Sequence, residues 1–361
     1  MTTQTKSKVI IAMSGGVDSS VCGLLMQNEG YECVGMIMRL WSGKDKNSNK
    51  SCCGSESVED ARLVAEKIGF PFYAINFQKE FWKEVIEVFA DEYFKGRTPS
   101  PCILCNEKMK FDSLYHKALS IGAKKVCTGH YARIEHDETL NRWHLRKGID
   151  ERKDQSYFLF SMTQEQLSKT LFPLGGYTKP EIREMALKAD LITANKAESQ
   201  DICFIPNNDY AAFLNKHFPD RVPKKGDIRD SEGKVLGEHA GIHSMTVGQR
   251  RGLGVAFGQP LYVTSIDANK NEVVVGEREK THGTSFIIKN TNWVYEEPTL
   301  GRSYPLLIKI RARSKEVSGT VVPLENNRAQ VTFDTPQHAI TPGQASVFYK
   351  DDYVFGGGWI E

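Results

Sequence analysis

The chain has 361 residues, of which 40% are hydrophobic and 25% are charged, and its formal net charge is +2. This length exceeds what one compact core usually holds, so we expect two or three domains. No apolar run approaches the roughly 20 residues that cross a bilayer, and the N-terminal residues lack the apolar segment of a signal peptide. These features favour a cytoplasmic protein. The small net charge does not indicate nucleic-acid binding, so that function must be argued from local features.

Strand and helix patterns alternate from Lys8 to Thr128. The predicted strands are Lys8–Met13, Glu32–Leu40, Pro71–Asn76 and Lys125–Thr128. The predicted helices are Val21–Glu29, Val58–Ile68, Lys79–Phe94 and Phe111–Ile121. A polar stretch at Ser42–Ser55 and an irregular segment at Arg97–Asn106 interrupt the pattern. This alternation is typical of an open parallel sheet with helices on both faces.

After about Asp209, helical patterns become scarce and short alternating runs replace them. The predicted strands here are Val273–Val275, Phe286–Ile288, Leu306–Ile310, Ala329–Phe333 and Ala345–Tyr349. Such runs indicate an all-β region. We therefore predict an α/β catalytic domain with a parallel sheet at residues 1–208, a small central domain at 209–280 and an antiparallel β-barrel at 281–361.

The string Ser14-Gly15-Gly16-Val17-Asp18-Ser19-Ser20 follows the first predicted strand. Its two glycines allow a ligand to approach the backbone closely, and the helix that follows offers free N–H groups to an anion. Asp18 could hold Mg²⁺ against phosphates. The string lacks the lysine of a Walker loop. The alternative is a tight turn in which Asp18 or Ser19 caps the helix. The complete string favours phosphate binding, and it resembles the loop of the N-type ATP pyrophosphatases, which split ATP between its α- and β-phosphates.

Three of the eight cysteines stand out by their surroundings. Cys102 and Cys105 lie in the proline-rich segment Thr98–Asn106, and Cys203 lies in Ser199–Phe204. In a reducing compartment such cysteines are thiols, and a thiolate near a helix N-terminus or a cation is the nucleophilic form. Sulfur transfer needs one thiolate that carries a persulfide and a second that releases the sulfur by forming a disulfide.

Other roles for the cysteines remain open at this point. Cys102, Cys105 and Cys203 could instead hold three irons of a 4Fe–4S cluster. A closed zinc site lacks a second Cys-x-x-Cys or a histidine pair at the required spacing. We expect Cys22, Cys33 and Cys127 to be small core residues. Cys52 and Cys53 lie in the polar stretch and receive no role.

Further polar residues could contact a nucleic acid. His130, Tyr131 and Arg133 follow the strand that ends at Thr128, where open parallel sheets bind ligands. The basic residues that could grip phosphates are Arg250 and Arg251 beside Gln249, and Arg311, Arg313 and Lys315. On alternating strands, however, such charges are more often only the solvated face.

Taken together, these motifs resemble the tRNA-specific 2-thiouridylases (the MnmA/TrmU family) over nearly the whole length. The motifs shared with that family are Ser14–Ser20, Gly96–Pro99, Cys105-Asn106, Thr128–Arg133, Lys153–Phe158, Ser199–Phe204, Gly248–Gly254 and Thr341–Gln344. The resemblance implies ATP-dependent 2-thiolation of the wobble uridine (U34) of tRNAs of the Lys, Glu and Gln type. The uracil 2-oxygen would be adenylated, with AMP and pyrophosphate as the other products. ATP and Mg²⁺ would be required, and a cysteine desulfurase or a sulfur relay protein would donate the persulfide.

The resemblance also assigns residues to these steps. Cys203 would carry the persulfide, and Cys105 would be the resolving nucleophile that forms a disulfide with it. The ATP-binding residues would be Ala12, Met13, Ser14, Gly15, Gly16, Val17, Asp18, Ser19, Met38 and Gly129. The target base would meet Ser100, Pro101 and Cys102. The tRNA-binding residues would be His130, Lys153, Asp154, Gln155, Arg311, Ala312 and Gln344.

Two positions depart from the pattern of the family. Many relatives have Asn where this chain has Ser100, which alters the expected contacts to the base. Some have Asp where this chain has Cys102, so an acid–base role cannot be carried over, whereas metal ligation becomes possible. Rival interpretations are another adenylating enzyme with this loop, such as GMP synthetase or argininosuccinate synthetase, and a non-catalytic RNA-binding protein regulated by a nucleotide. Neither rival accounts for both the cysteines and the β-rich C-terminal region.

Overall fold

The computed structural model describes residues 7–41, 54–198, 202–255 and 258–361. The polar stretch with Cys52 and Cys53, and residues 199–201 of the Cys203 motif, lie outside the described residues. The described chain forms two compact units, one from parts of 1–85, 102–206 and 352–354, the other from parts of 86–101, 207–351 and 355–361. Within the described residues, no helix combines the length and the apolar character that crossing a bilayer requires.

The strands and helices have the following bounds. The strands are β1 Lys8–Met13, β2 Glu32–Arg39, β3 Phe72–Asn76, β4 Lys125–Thr128, β5 Ala132–Asp137, β6 Arg142–Lys147, β7 Thr170–Leu171, β8 Gly226–Arg229, β9 Val235–His239, β10 Tyr262–Asp267, β11 Glu272–Gly276, β12 His282–Trp293, β13 Tyr304–Lys309, β14 Val317–Leu324, β15 Arg328–His338, β16 Ala345–Lys350 and β17 Tyr353–Ile360. The α-helices are α1 Val17–Asn28, α2 Ser55–Ile68, α3 Gln78–Phe81, α4 Val88–Phe94, α5 Pro101–Leu104, α6 Leu114–Ser120, α7 Gln164–Ser168, α8 Lys179–Lys188 and α9 Tyr210–His217. Two π-helical segments, Trp82–Glu87 and Cys105–Ser113, join α3 to α4 and α5 to α6.

The first unit is built on a five-stranded sheet in the order β3-β2-β1-β4-β7. All neighbouring strands in it are parallel. Val9, Ile10 and Ile11 of β1 are fully buried, as expected for a central strand covered on both faces. Cys22, Cys33 and Cys127 are buried too, which confirms their prediction as core residues. The predicted parallel α/β fold of this region is confirmed.

The irregular segment predicted at Arg97–Asn106 is partly wrong. A helix begins at Pro101 and continues through the π-helical segment into α6, so Cys102 and Cys105 are helical rather than in a loop. The reason is that proline is well suited to the first helical position, where its missing N–H has no partner to lose and its φ is already helical. The first helix also begins earlier than predicted, at Val17 instead of Val21.

A β-hairpin, β5–β6, completes the first unit and was not predicted. Its strands are antiparallel, and Arg146 of β6 pairs with Tyr353 at the start of β17. Arg133 and Arg146 both donate hydrogen bonds to Oδ2 of Asp352, at 2.6 Å and 2.8 Å from their Nη2 atoms. A carboxylate from residues 352–354 therefore joins the two strands of the hairpin.

The second unit contains two β-structures. A four-stranded sheet has the order β10-β11-β8-β9. Ile228, Val263 and Val273 of this sheet are fully buried in its core. Six strands follow one another as β12-β15-β14-β13-β16-β17, and β12 also pairs with β17, so that this sheet closes into an antiparallel barrel. All five strands predicted after Asp209 are present, and the predicted C-terminal β-barrel is confirmed.

Candidate active site

The loops after β1 and β4 meet at the switch point of the parallel sheet. From β1 the chain moves outward through β2 and β3, and then returns to place β4 on the other side of β1. Loops that leave neighbouring strands in opposite directions open a crevice at their carboxyl ends, where α/β sheets bind ligands. Ser14–Gly16 follows β1, and Gly129 and His130 follow β4, so both predicted nucleotide-binding segments border this crevice.

The loop after β1 needs glycine for a steric reason. Gly15 has φ +69°, and a Cβ atom there would lie 2.3 Å from the carbonyl oxygen of Ser57. Gly16 is the N-cap residue of α1, and among the described residues no side chain caps the helix. The alternative in which Asp18 or Ser19 is the cap is therefore wrong. Without a side-chain cap, the first N–H groups of α1 can donate to an anion.

Two serines and Gly129 shape this loop further. Oγ of Ser19 accepts a hydrogen bond from the Ser14 N–H at 3.1 Å and lies 3.2 Å from the Ser14 hydroxyl. A Cβ atom on Gly129 would lie 3.1 Å from Cβ of Asp18 and from N of Ser19, so the backbone of Gly129 lies close against the start of α1. Ala12 and Met13 end β1, and Met38 is buried in β2.

Asp18, the residue predicted to hold Mg²⁺, is paired with a lysine in this structure. The Nζ atom of Lys179 donates to both carboxylate oxygens at 2.7 Å and 2.8 Å, and the hydroxyl of Tyr131 donates to Oδ1 at 2.7 Å. Burial, followed by the charge of Asp18, raises the pKa of Tyr131 well above its usual value, so this hydroxyl stays a donor. Lys179 is not among the site residues that we predict from the sequence.

The carboxylate of Glu198 connects Lys179 to two further cations. Its oxygens lie 3.2 Å from Lys179 Nζ and 3.5 Å from Arg183 Nη2, and it also pairs with Lys153. Burial alone would raise the pKa of Glu198, but Lys153 and Lys179 lower it below its usual value. Lys153, predicted to contact tRNA, therefore belongs to an ion-pair network that reaches Asp18.

The neighbours of Lys153 have their side chains engaged within the protein. Asp154 accepts hydrogen bonds from the Gly148 N–H at 3.1 Å and from the Ser156 hydroxyl at 2.8 Å. Gln155 accepts from the N–H of Tyr131 at 3.0 Å. These contacts place the residue 153–155 turn beside the loop after β4.

His130 is buried between a hydroxyl and an ammonium group. Its Nδ1 atom lies 2.7 Å from Oγ1 of Thr128, and its Nε2 atom lies 3.4 Å from Nζ of Lys110. Burial, and then the charge of Lys110, lower the pKa of His130 well below its usual value. The ring is therefore neutral at pH 7 and brings no positive charge to the site.

The two predicted catalytic cysteines are in the reduced thiol form. Cys105 is half-buried in the π-helical segment, and the side chain of the adjacent Asn106 donates to the carbonyl of Phe158 at 3.0 Å. Cys203 is half-buried in a turn, and Phe204 beside it packs edge-on against Phe81 with the ring centres 5.6 Å apart. Both cysteine residues are thus partly exposed.

The structure does not gather the cysteines into a cluster site. Across the described ranges, no group of three or more His, Cys, Asp or Glu side chains could hold a metal ion. Cys102, Cys105 and Cys203 therefore do not fit a 4Fe–4S cluster in this arrangement, and that alternative is not supported.

The second unit holds the remaining predicted residues. Gln344 donates from Nε2 to the carbonyls of Thr98 and Pro99, at 2.9 Å and 3.3 Å, in the segment that leads to the buried Ser100 and to Pro101. Arg311, which precedes Ala312, donates to the carbonyls of His338, at 3.3 Å, and of Ala339. These two side chains shape the backbone of the second unit.

The basic residues of the Gly248–Gly254 motif are accessible. Arg250 and Arg251 are exposed, whereas Gln249 accepts from the N–H of Thr246 at 2.9 Å and donates to the carbonyl of Arg251 at 2.9 Å. Gripping of phosphates by Arg250 and Arg251 stays a prediction.

Comparisons with known proteins cover the chain from end to end. Residues 7–207 match a family model described as the tRNA methyl transferase HUP domain. Residues 211–277 match the tRNA methyl transferase PRC-barrel domain, and residues 283–360 match the aminomethyltransferase beta-barrel domain.

Curated proteins match over nearly the same span. The tRNA-specific 2-thiouridylase MnmA of Heliobacterium modesticaldum is 49% identical over 98% of this chain and 92% of its own length. The protein of the same name from Geobacter metallireducens is 47% identical over 100% of this chain and 98% of its own length. A 4-thiouridine synthetase solved as an RNA complex with bound ATP covers 60% of this chain and 51% of its own, with 19% identity and a TM-score of 0.37. So low a score carries no inference about activity.

Proposed function

The chain belongs to the tRNA-specific 2-thiouridylase family, and from this premise we propose that it replaces the 2-oxygen of the wobble uridine, U34, of tRNA with sulfur at the expense of ATP. The substrates would be tRNAs of the Lys, Glu and Gln type. The observation that carries the proposal is the uncapped N-terminus of α1, which opens at the switch point between β1 and β4. A helix N-terminus at such a switch point is suited to the phosphates of a nucleotide.

Activation of the base is the first step of the proposed reaction. The uracil 2-oxygen attacks the α-phosphorus of ATP, pyrophosphate leaves, and the oxygen becomes part of an adenylate. The N–H groups of Gly16 and of the first turn of α1, with the hydroxyls of Ser14 and Ser19, would hold the phosphates. Asp18 fits a magnesium ligand because its carboxylate is partly exposed at the start of α1. Bound there, Mg²⁺ would neutralise phosphate charge.

Sulfur transfer follows and uses both catalytic cysteines. A donor protein first leaves a persulfide, Cys203–S–SH, on the chain. Its terminal sulfur attacks C2 of the activated uracil, and AMP leaves with the former 2-oxygen. The Cys105 thiolate then attacks the sulfur of Cys203, so that the Cys105–Cys203 disulfide forms and 2-thiouridine is expelled with its sulfur. An external thiol must reduce the disulfide before the next turnover.

The target base must leave its stack to reach these groups, and a flipped base is held by stacking and by contacts to its edge. The candidates for these contacts are Ser100, Pro101 and Cys102, which surround the beginning of α5. His130, Lys153, Asp154, Gln155, Arg311, Ala312 and Gln344 are proposed to contact the tRNA.

A reconstituted thiolation assay tests the proposal. Purified protein would be given unmodified tRNA, ATP, a cysteine desulfurase with cysteine, and a reductant, and 2-thiouridine would be measured by mass spectrometry of digested tRNA. The expected result is one AMP for each 2-thiouridine at position 34. Cys203→Ser and Cys105→Ser should each abolish turnover but retain ATP–pyrophosphate exchange in the presence of tRNA, because adenylation precedes the chemistry of the thiols.

Cys102→Ser serves as the matched comparison, since it removes a thiol from the same helix. In a single turnover this variant should still transfer sulfur, whereas a cluster held by three cysteines would be lost with it. Formation of 2-thiouridine by Cys203→Ala, supplied only with the persulfide donor, would contradict the persulfide mechanism.

A further inference from the structure

We propose that Lys179 binds the β- and γ-phosphates of ATP and thereby supplies the ammonium group that the glycine loop lacks. This inference rests on the proposed function and assigns a further substrate-binding residue to it. The loop contains no lysine, yet the pyrophosphate that leaves during adenylation carries most of the negative charge of the nucleotide. Asp18 lies in the first turn of α1, the helix that follows that loop, and the ammonium group of Lys179 contacts the Asp18 carboxylate.

The position of Lys179 in its own helix is unfavourable for the helix. It is the first residue of α8, whose start is already fixed by a capping box between Thr178 and Glu181 and by a hydrogen bond from the Lys179 N–H to Asp150, 2.9 Å long. The positive end of the helix dipole repels a cation there. Helix stability therefore does not explain a lysine at this position, and departures from local preference concentrate at functional sites.

The side chain is also buried. Only 8% of it is exposed, and its ammonium group lies between the carboxylates of Asp18 and Glu198. An ammonium group out of contact with water needs such partners, because a buried and unpaired charge is costly. Both partners are anions, so the pocket around Nζ is already suited to negatively charged oxygens.

The charges explain how a triphosphate could enter. Asp18 is a carboxylate at the same positive helix end that would receive the phosphates, so without a nearby cation it would repel them. Lys179 neutralises Asp18 and borders the same site. Lys153 and Arg183 also pair with Glu198, so this carboxylate keeps two cationic partners when the ammonium group of Lys179 contacts a phosphate.

Equilibrium binding of ATP and of AMP by the full-length protein tests this inference. Lys179→Met removes the charge and keeps most of the apolar volume of the side chain. We expect the dissociation constant for ATP to rise about 10- to 100-fold, as for the loss of a charge-assisted hydrogen bond, while that for AMP changes by less than about threefold. AMP is the comparison because it lacks the β- and γ-phosphates.

The control variant is Lys188→Met, at the other end of α8. Its side chain is 74% exposed and pairs with Glu184, so ATP binding should be unchanged. Unaltered ATP binding by Lys179→Met would overturn the inference. Equal weakening of ATP and AMP would also overturn it, because the lysine would then only support the loop.

A second measurement uses the unaltered protein, in case Lys179→Met does not fold. An acyl phosphate of ATP transfers its acyl group to amines near the phosphates, and peptide mapping locates the modified lysine. Lys179 should be acylated, and excess ATP should prevent it. Acylation of other lysines but not of Lys179 would contradict the inference. If the unaltered protein bound no ATP at all, the proposed function itself would fail, which is a separate outcome.

Discussion

Gly15 and Gly30 flank helix α1 in similar left-handed conformations, with φ +69° and +81°, but their surroundings differ. A Cβ atom on Gly15 would collide with the backbone of Ser57, whereas one on Gly30 would meet no atom of the described residues within 4 Å. An L-residue at either position carries the same conformational penalty, about 1 kcal/mol or somewhat more. Only at Gly15 does the surrounding protein add a steric requirement, because the loop after β1 is held against α2.

Replacement of each glycine by alanine separates the two effects. Gly30→Ala should lower the free energy of unfolding by about 1–2 kcal/mol and leave ATP affinity unchanged. Gly15→Ala must displace the loop from Ser57, so ATP affinity should fall by at least about tenfold in addition. Isothermal titration with ATP and urea denaturation of both variants provide the measurement. Equal ATP affinities in the two variants would contradict the assigned role of the loop.

At the scale of single residues, the sequence predicted the loop but not its partner. The glycines and serines of the loop are adjacent in the chain, and the whole string, placed directly after a buried strand, predicts phosphate binding. Lys179 is 161 residues away from Asp18, and a lysine near a helix start resembles an ordinary surface residue. Its position at the first residue of a helix with a capping box, where a cation is disfavoured, is the signal that could have identified it.

At the scale of elements, the clearest predictions are the central strands. Lys8–Met13 and Lys125–Thr128 were predicted with the bounds that the structure shows. Short apolar runs rich in β-branched residues are typical of buried strands. The hairpin β5–β6 was missed because its polar residues conceal the alternation. Strand β17 was missed as well, since Gly356-Gly357-Gly358 interrupts it and glycine weakens the strand signal.

Two motifs that are distant in the sequence meet in the second unit. The N–H of Thr98 donates to the carbonyl of Pro342 at 2.9 Å, and Gln344 donates to the carbonyls of Thr98 and Pro99. The turn at Thr341–Gln344 therefore fixes the backbone that precedes α5. Both motifs can be recognised in the sequence, but the contact between them cannot be predicted from it, because neither motif indicates which residues it will contact.

Gln344→Ala tests the importance of this support. Loss of the hydrogen bonds to Thr98 and Pro99 should lower kcat/KM for tRNA thiolation by about tenfold, from roughly 1–1.5 kcal/mol of lost positioning. ATP binding should stay unchanged, since the loop Ser14–Ser20, which we propose binds ATP, belongs to the first unit. Gln330→Ala, on the exposed face of β15, is the control and should have full activity. A parallel loss of ATP affinity in Gln344→Ala would contradict this account.

At the scale of the whole molecule, the compact units do not follow the order of the chain. The chain passes between them after residues 85, 101, 206, 351 and 354. The division at residues 208 and 280 that we predict from composition stays a prediction. Short insertions such as 352–354 leave no trace in composition, which is why sequence alone could not assign them to the first unit.

Asp352→Asn tests how far these three residues stabilise the first unit. The variant weakens the bonds from Arg133 and Arg146, and we expect a loss of about 1–2 kcal/mol after allowance for partial exposure of the carboxylate. Burial alone would raise the pKa of Asp352, but the two arginines lower it. Its contribution is therefore present above its unfolded pKa and is lost as the pH falls through the lower folded value. Urea denaturation at pH 7 measures the difference, with Asp351→Asn as the control; equal stability would contradict it.

The Asp352 carboxylate also sets an order of events during synthesis. It lies 206 residues after Arg146, so at 5–20 residues per second it emerges about 10–40 s later than its partner. Throughout that interval the ribosome carries a chain with the complete loop Ser14–Ser20 and with a hairpin that lacks its carboxylate. The first unit is therefore completed only after five of the six barrel strands have been translated, and a chain that ends before residue 352 cannot complete it.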